Sequence, residues 1–345
     1  MHIPDGYLSP ATTIPAVAGM IPAWSVAFQK VKKTFSKKRI PALALCSAFS
    51  FLIMMFNVPV AGGSSAHAVG AVFIAILLGP WAAVISVSTA LLIQALVFGD
   101  GGIMAYGINC LNMALVMPFA GYGVYKLIKG KSGPETGRGL AAAFFGSYFG
   151  LNLAALLAAV EFGVQPLLFR AADGAPLYCP YPLSVTVPSM MAAHLLIAGP
   201  IEGAVTAAAA AYLYQFAPQL FAARELNGAA GPKSSWIRRY KPVIVPFAAL
   251  IFLTPLGLLA TGTAFGEWSM EEIKAQLGYI PQGITAAANW WSSLLPDYTV
   301  PALGEGRFGA AAGYVLSAAI GVLLIAALIF LTAKMVVKEQ DKKEN

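Results

Sequence analysis

Charge is what this sequence has least of. Only 11% of its 345 residues are Asp, Glu, Lys or Arg, while 58% are hydrophobic; an ordinary soluble domain carries about a quarter charged. A single water-soluble core of this length would need far more polar surface. The composition therefore excludes a soluble globular protein and points to lipid as the solvent. Cysteine is also sparse. Cys46, Cys110 and Cys179 have no C-x-x-C spacing and are odd in number, which argues against a disulfide framework and a thiolate metal cluster. Cys46 and Cys110 fall inside apolar runs, where a free thiol packs as a small hydrophobe. There are three histidines and no H-E-x-x-H, which leaves little for a catalytic metal with an open position and a general base. A phosphate-binding loop is missing too. Gly130-Lys131-Ser132 looks like the tail of one, but Tyr125 stands where the leading glycine is required and no strand precedes it. Any dependence on ATP must come from a partner. The opening Met1-His2-Ile3-Pro4-Asp5-Gly6 has no Lys or Arg, so no cleavable signal peptide is expected, and the bulk of His2 leads us to expect that Met1 is retained.

What is present is a series of long apolar runs. A membrane helix needs about 20 mostly apolar residues. Candidates lie near 11–29, 41–60, 66–79, 81–98, 104–127, 139–161, 184–216, 242–262 and 309–334. The third is short and reads as a half-span or tight hairpin before Gly79-Pro80. The seventh is long and is expected to tilt or break near Gly199-Pro200. The fold class is all-α: a polytopic transmembrane bundle of about seven spans with a two-span C-terminal appendage. Nineteen of the 22 Lys and Arg residues fall in four segments, 30–39, 126–138, 224–241 and 334–343. Short cytoplasmic loops carry the positive excess. The four segments share one side only if nine spans start with the N-terminus outside and end with the C-terminus in the cytoplasm. The outer face then collects Asp5, Asp100, Asp173, Glu267, Glu271, Glu272, Asp297 and Glu305. Residues 1–221 form the first unit and 222–241, polar and basic, a cytoplasmic linker. Residues 242–345 form a two-span unit around an outer loop, 263–308. The setting is a plasma-membrane bilayer, and no nucleic-acid partner is expected.

This topology places Met1 and the glycine-rich loop Ala61-Gly62-Gly63-Ser64-Ser65-Ala66-His67 on one face. The amino terminus is a potential ligand set. The Met1 amine, the deprotonated His2 amide and His2 Nδ1 close fused five- and six-membered chelate rings in one plane, and a fourth nitrogen from His67 would complete a square. Square-planar nitrogen suits Ni(II) or Cu(II), whereas structural zinc prefers a tetrahedron. Asp5 is a candidate acceptor for an imidazole N–H. The residues alone leave a second reading open, that of a frayed, solvated chain end. His67 alone reads equally as a satisfied polar residue at a helix start.

Gln94, Asn109 and Asn112 sit at membrane depth. With Ser64 of the outer loop they could surround a metal site, or the amides could simply join helices by hydrogen bonds. Gly99-Asp100-Gly101-Gly102 reads as a tight turn after the fourth span. His194 and Glu202 lie eight residues apart in the seventh span, where ionisable groups tend to be functional. An interhelical hydrogen bond for His194 is the simpler expectation, a proton or ion relay the alternative.

The start Met1-His2-Ile3-Pro4-Asp5-Gly6-Tyr7-Leu8-Ser9-Pro10 resembles the opening of the CbiM/NikM family. These are substrate-capturing membrane subunits of energy-coupling-factor importers for cobalt and nickel. The resemblance continues through Gly62-Gly63-Ser64-Ser65-Ala66-His67, Leu78-Gly79-Pro80-Trp81-Ala82-Ala83-Val84, the block from Gln94 to Gly102, Asn109 to Ala114, and His194 to Gly203. The family's usual Gly-Thr-Ser-Gly-His reads Gly63-Ser64-Ser65-Ala66-His67, a departure that keeps the histidine. Pro255 to Ala260 and Gly266-Glu267-Trp268 are similar to the companion two-span N-type subunit (CbiN/NikN-like), so the chain looks like a fusion of the two. The resemblance implies an ion held by the Met1 amine, the His2 amide and imidazole, and His67. It also implies a transmembrane T component (CbiQ/NikQ-like) and a pair of cytoplasmic ATPases (CbiO/NikO-like) as partners. Ni(II) is the implied substrate, with Co(II) as the alternative, and no organic cofactor. A self-sufficient metal channel and a membrane metalloenzyme are the competing classes. Rings of acids would favour the channel, but the mid-membrane acids are essentially Glu202, with Glu161 near a span end.

Overall fold

A computed structural model of the chain describes residues 1–35, 39–60, 64–217, 236–260, 262–287, 290–304 and 306–341. Lys37, Lys38, Gly62, Gly63 and most of the expected linker, 222–235, lie outside the described residues.

Residues 1–9 form no helix, yet they are packed inside the protein. Ser9 ends this segment by capping α1 (Pro10–Thr34): its side chain accepts from the Ala11 amide, and Pro10 supplies a preset φ at the first helical position. α2 (Ile40–Met54) runs back and leads into a two-stranded hairpin, β1 (Val58–Val60) and β2 (Ser64–Ala66), with Val58 opposite Ala66. His67 follows β2 directly.

The expected span at 66–79 is not a crossing by itself. Its helix, α3 (Ala71–Leu78), has 8 residues, about 12 Å at 1.5 Å per residue. The hairpin and the turn at Gly70 take up the remainder, because the chain there is used to carry His67. α2 is likewise shorter than the expected 41–60. Among the described residues, seven helical stretches are long and apolar enough to cross a membrane: Pro10–Thr34, Pro80–Phe98, Tyr106–Lys129, Gly137–Leu168, Leu183–Phe216, Lys241–Leu259 and Arg307–Thr332. α2 and α3 are short legs between them.

Three of the long stretches contain a wide π turn. Gln94–Phe98 ends α4 (Pro80–Ile93), and Cys110–Val116 joins α5 (Tyr106–Asn109) to α6 (Met117–Lys129). His194–Ala198 joins α8 (Leu183–Ala193) to α9 (Gly199–Phe216). Pro118 and Pro200 each follow one of these turns closely. A proline lacks the N–H and its ring clashes with the carbonyl four residues back. The wide turn absorbs both problems, so the expected break at Gly199-Pro200 is a bulge within one continuous helical stretch.

α7 (Gly137–Leu168) is the centre of the first unit. It buries Ala142, Ala143, Gly146, Gly150, Ala154 and Ala158 along one side. At Gly146 and Gly150 the α6 backbone comes within 2.7 Å of where a Cβ would stand. Such small-residue faces let helices approach closely where lipid provides no hydrophobic drive.

The C-terminal part, α10 (Trp236–Leu253) with its 3₁₀ turn Thr254–Leu259 and α13 (Arg307–Asp341), docks on α2 by the same device. Gly321 faces the Phe51 ring and Gly257 faces the Met55 carbonyl, each with no room for a side chain. Between these helices the outer loop carries α11 (Met270–Leu277), started by a Ser269–Glu272 capping box, and α12 (Gln282–Ala287). Ile273 and Ile284 pack with Ile3, Tyr7, Leu8 and Phe162. The outer loop is thus a lid on the N-terminal segment.

Candidate metal centre

The amino terminus is not frayed. Asn109 grips the Ile3 peptide from both sides: its Oδ1 accepts from the Ile3 amide at 2.9 Å and its Nδ2 donates to the Ile3 carbonyl at 3.0 Å. The Gly102 amide donates to the same carbonyl at 2.9 Å. Asp5 accepts from the Ile103 and Ala105 amides at 2.9 and 3.1 Å, so it holds backbone rather than an imidazole. A side chain at Gly102 would collide with Asp5, which explains a glycine there. Further along, Tyr7 donates through its hydroxyl to the Trp268 carbonyl at 2.7 Å.

This anchoring sets Met1, His2 and His67 together, all buried. The His2 and His67 rings stack with centroids 4.9 Å apart. One ligand atom each from His2, His67 and Glu267 lie within 4.8 Å of one another. His67 Nδ1 lies 3.1 Å from the Ala68 carbonyl. A carbonyl only accepts, so Nδ1 carries the proton and Nε2 is left with its lone pair. That Nε2 has no partner, nor does His2 Nε2, while His2 Nδ1 lies 3.0 Å from Asp100 Oδ1. An unpaired buried polar atom costs about 1–3 kcal/mol, so two in one pocket mark a place built for a ligand. Burial pushes the His2 pKa down to about 4, with the N-terminal ammonium adding to the shift against a smaller opposing pull from Glu267. Burial, the ammonium and His2 hold His67 well below the ordinary imidazole range. Both rings are neutral donors at neutral pH.

Oxygen groups close the pocket from the C-terminal part. Glu267 Oε1 is 2.7 Å from the Met1 ammonium. The Tyr298 hydroxyl donates to Asp100 Oδ2 at 2.6 Å, and Gln94 Nε2 donates to Asp100 Oδ2 at 3.0 Å and to the Tyr298 hydroxyl at 2.9 Å. Gln94 therefore orients Asp100 beside His2. Asp100 and Glu267 were legible only as outer-face acids, and nothing in the sequence singled out Tyr298. The available signal was the shared face: Asp100 sits in a glycine-rich turn and Glu267 in Gly266-Glu267-Trp268.

Of the remaining candidates His194 is near, since its π turn packs against β2 beside His67 and its Nε2 also has no hydrogen bond. Ser64 Oγ and Asn112 Oδ1 have no hydrogen bond, while Asn112 Nδ2 donates to Glu161 Oε2 at 2.7 Å. His194 bonds within its own helix, donating from Nδ1 to the Met190 carbonyl at 2.7 Å, rather than to a neighbouring helix. Glu202 accepts from the Val69 and Gly70 amides at 2.7 to 3.0 Å. It caps the start of α3 and steadies the turn that follows His67.

Fold and site together define a multi-pass helical membrane protein that presents a buried cluster of nitrogen donors at one end of its bundle. Residues 2–220 match the family described as the cobalt uptake substrate-specific transmembrane region, and residues 241–338 match the PDGLE domain. A fused nickel transport protein of Rhodobacter capsulatus is 49% identical over 96% of this chain and 97% of its own length. A probable fused nickel transport protein of Lactiplantibacillus plantarum is 44% identical over 95% and 96%. The crystal structure of a truncated transition metal transporter superposes with a TM-score of 0.59 at 52% identity, covering 62% of this chain and 99% of that one. The chain belongs to the cobalt uptake substrate-specific transmembrane family, here joined to a PDGLE domain.

Proposed function

We propose that this chain is the metal-capturing subunit of an ATP-driven importer of Ni(II), holding the ion through the Met1 amine, the His2 amide, His2 Nδ1 and His67 Nε2. The carrying observation is the pair of buried ring nitrogens without a partner, His67 Nε2 and His2 Nε2, with His2 Nδ1 beside Asp100, next to a chain terminus that is itself anchored. To bind, the amine loses a proton, and Glu267 at 2.7 Å is the nearest acceptor.

The division into an M-type unit at 1–221, a linker at 222–241 and an N-type unit at 242–345 belongs to the same reading. So do an extracytoplasmic N-terminus, a cytoplasmic C-terminus, a transmembrane T partner and a pair of cytoplasmic ATPases. Two fused relatives that span nearly the whole chain carry nickel-transport names, and this favours nickel. Cobalt is the second reading, because a cobalt transport protein of Ruminiclostridium cellulolyticum is 34% identical over 47% of this chain.

The test uses isothermal titration of the purified chain with Ni(II). One residue added before Met1, or His2→Ala, should abolish binding while circular dichroism stays unchanged. Unchanged affinity in the extended chain would overturn the reading. For transport, membranes with this chain alone should bind Ni(II) but accumulate little until the T and ATPase partners are added.

A further inference from the structure

α9 buries Gly203, Thr206 and Ala210 and leaves Ala208 and Ala209 on a more open side. Those methyl groups are too short to fill the space towards α10, which leans on α2 and α13 instead. The result is a groove of about 390 Å³ walled by α9, α10, α2 and α3. Phe49, Leu77, Pro246 and Leu250 are among its walls, and only Cys46 and Tyr212 bring polar side-chain atoms to it. The Tyr212 hydroxyl is already used. Pro246 has no N–H to offer the Pro242 carbonyl four residues back, and Tyr212 donates to that carbonyl at 2.8 Å. Ala249 and Leu253 are exposed at the rim, so the groove opens sideways, where a bundle meets lipid.

An apolar groove alone would say little. Its length and its charged end identify the occupant. α10 lines it from Pro242 to Leu253, about 16 Å at 1.5 Å per residue. One leaflet supplies about half of the 30 Å hydrocarbon core, so the groove has the reach of one acyl chain. Two cations mark one end. Arg39 stands at the start of α2, one turn before Ala42 of the groove wall, and Lys241 directly precedes Pro242. Arg39 lies over the Phe35 ring at 5.1 Å, and Lys241 is exposed. The ion pairs among the described residues involve neither of them. Among the described residues no Asp or Glu lines the groove.

We propose that this groove is a binding site for an anionic phospholipid: one acyl chain fills it, and the phosphate meets Arg39 and Lys241. Basic residues beside a cleft between membrane helices attract anionic headgroups. The chain supplies the contact that the alanines of α9 do not make, and so joins α10 to the first unit. The site is separate from the nitrogen cluster, since His67 follows the hairpin at the other end of α2.

The experiment is native mass spectrometry of the purified full chain, titrated with dioleoyl phosphatidylglycerol or with dioleoyl phosphatidylcholine. One phosphatidylglycerol should be retained, about thirtyfold more tightly than phosphatidylcholine, at about fivefold for each cation. Arg39→Gln and Lys241→Gln should each lose about fivefold for phosphatidylglycerol and nothing for phosphatidylcholine, and Arg39→Lys should restore most of the loss. Ala209→Phe fills the groove from α9, and Ala249→Trp blocks it at the exposed rim. Each should lower retention of both lipids about tenfold with unchanged Ni(II) affinity, which reports an intact fold. Equal retention of the two lipids by the unaltered chain, or wild-type retention of phosphatidylglycerol in Ala249→Trp, would overturn the site. If no lipid is retained and Ala249→Trp instead fails to associate with the transmembrane T partner, the groove holds a protein helix and the lipid proposal is wrong.

Discussion

The two parts of the molecule meet at the pocket with opposite chemistry. The first unit supplies nitrogen: the chain terminus, His2 and His67. The C-terminal part supplies oxygen: Glu267 on the Met1 ammonium and the Tyr298 hydroxyl on Asp100. Nitrogen donors are soft enough to choose a late transition metal, while oxygen groups are hard and unselective. In the proposed site the first unit would therefore build the specificity, while the C-terminal part covers the pocket and lends it Glu267. The lid is also held by packing, since Ile273 and Ile284 cover Ile3 and Tyr7.

The comparison can be broken most sharply from the nitrogen side. Extension before Met1 or His2→Ala should take Ni(II) affinity below detection by titration, whereas Glu267→Gln should leave it measurable. If Glu267→Gln were equally fatal, the division between the two parts would be wrong. Next is Glu202→Ala. It strands the Val69 and Gly70 amides, each at about 1–3 kcal/mol, and should lower the melting temperature clearly. Glu202→Gln keeps one acceptor oxygen and should recover much of the loss. Asn109→Ala frees the Ile3 peptide and should weaken Ni(II) binding about tenfold with a smaller change in melting temperature; titration and calorimetry on the same sample separate the two.

A still smaller effect is expected for Tyr298→Phe. A hydrogen bond to a charged group contributes about 1.5–3 kcal/mol where it is fully made. Gln94 still holds Asp100, so affinity should fall only about threefold. Smallest is a pH effect on the metal-free chain. His2 has a folded pKa near 4 against an ordinary 6.5. The unfolded chain then binds more protons between these values, so stability falls as pH drops from 6.5 towards 4. A His2→Phe chain should show a shallower loss in thermal melts over that window.

Much of this was legible in the residues because the signals are local. Apolar runs of membrane length and four basic segments mark the helices, and the chelate rings need only two adjacent residues. The 66–79 stretch reads as a half-span or tight hairpin because it is too short to cross a membrane and ends at Gly79-Pro80. Here Ala71–Leu78 is a buried half-length helix that carries His67 in from β2. His194 and Glu202 both read as possible relay groups. One satisfies its own helix at Met190, and the other caps α3 from 132 residues away. Asp5 is three residues from His2, and proximity in sequence suggested an imidazole partner. Its carboxylate instead meets amides brought in from 103 and 105.

The residues alone specify a lipid-embedded helical protein, and they place at positions 1 and 2 three nitrogens able to close five- and six-membered rings, because hydropathy and ring size depend only on neighbours. Tertiary structure alone decided that Glu267 faces the Met1 ammonium across 266 residues, that Tyr298 steadies Asp100, and that the terminus is anchored rather than loose. Those pairings depend on how close-packed helices and a folded outer loop bring distant groups within 3 Å, and no short-range pattern encodes that.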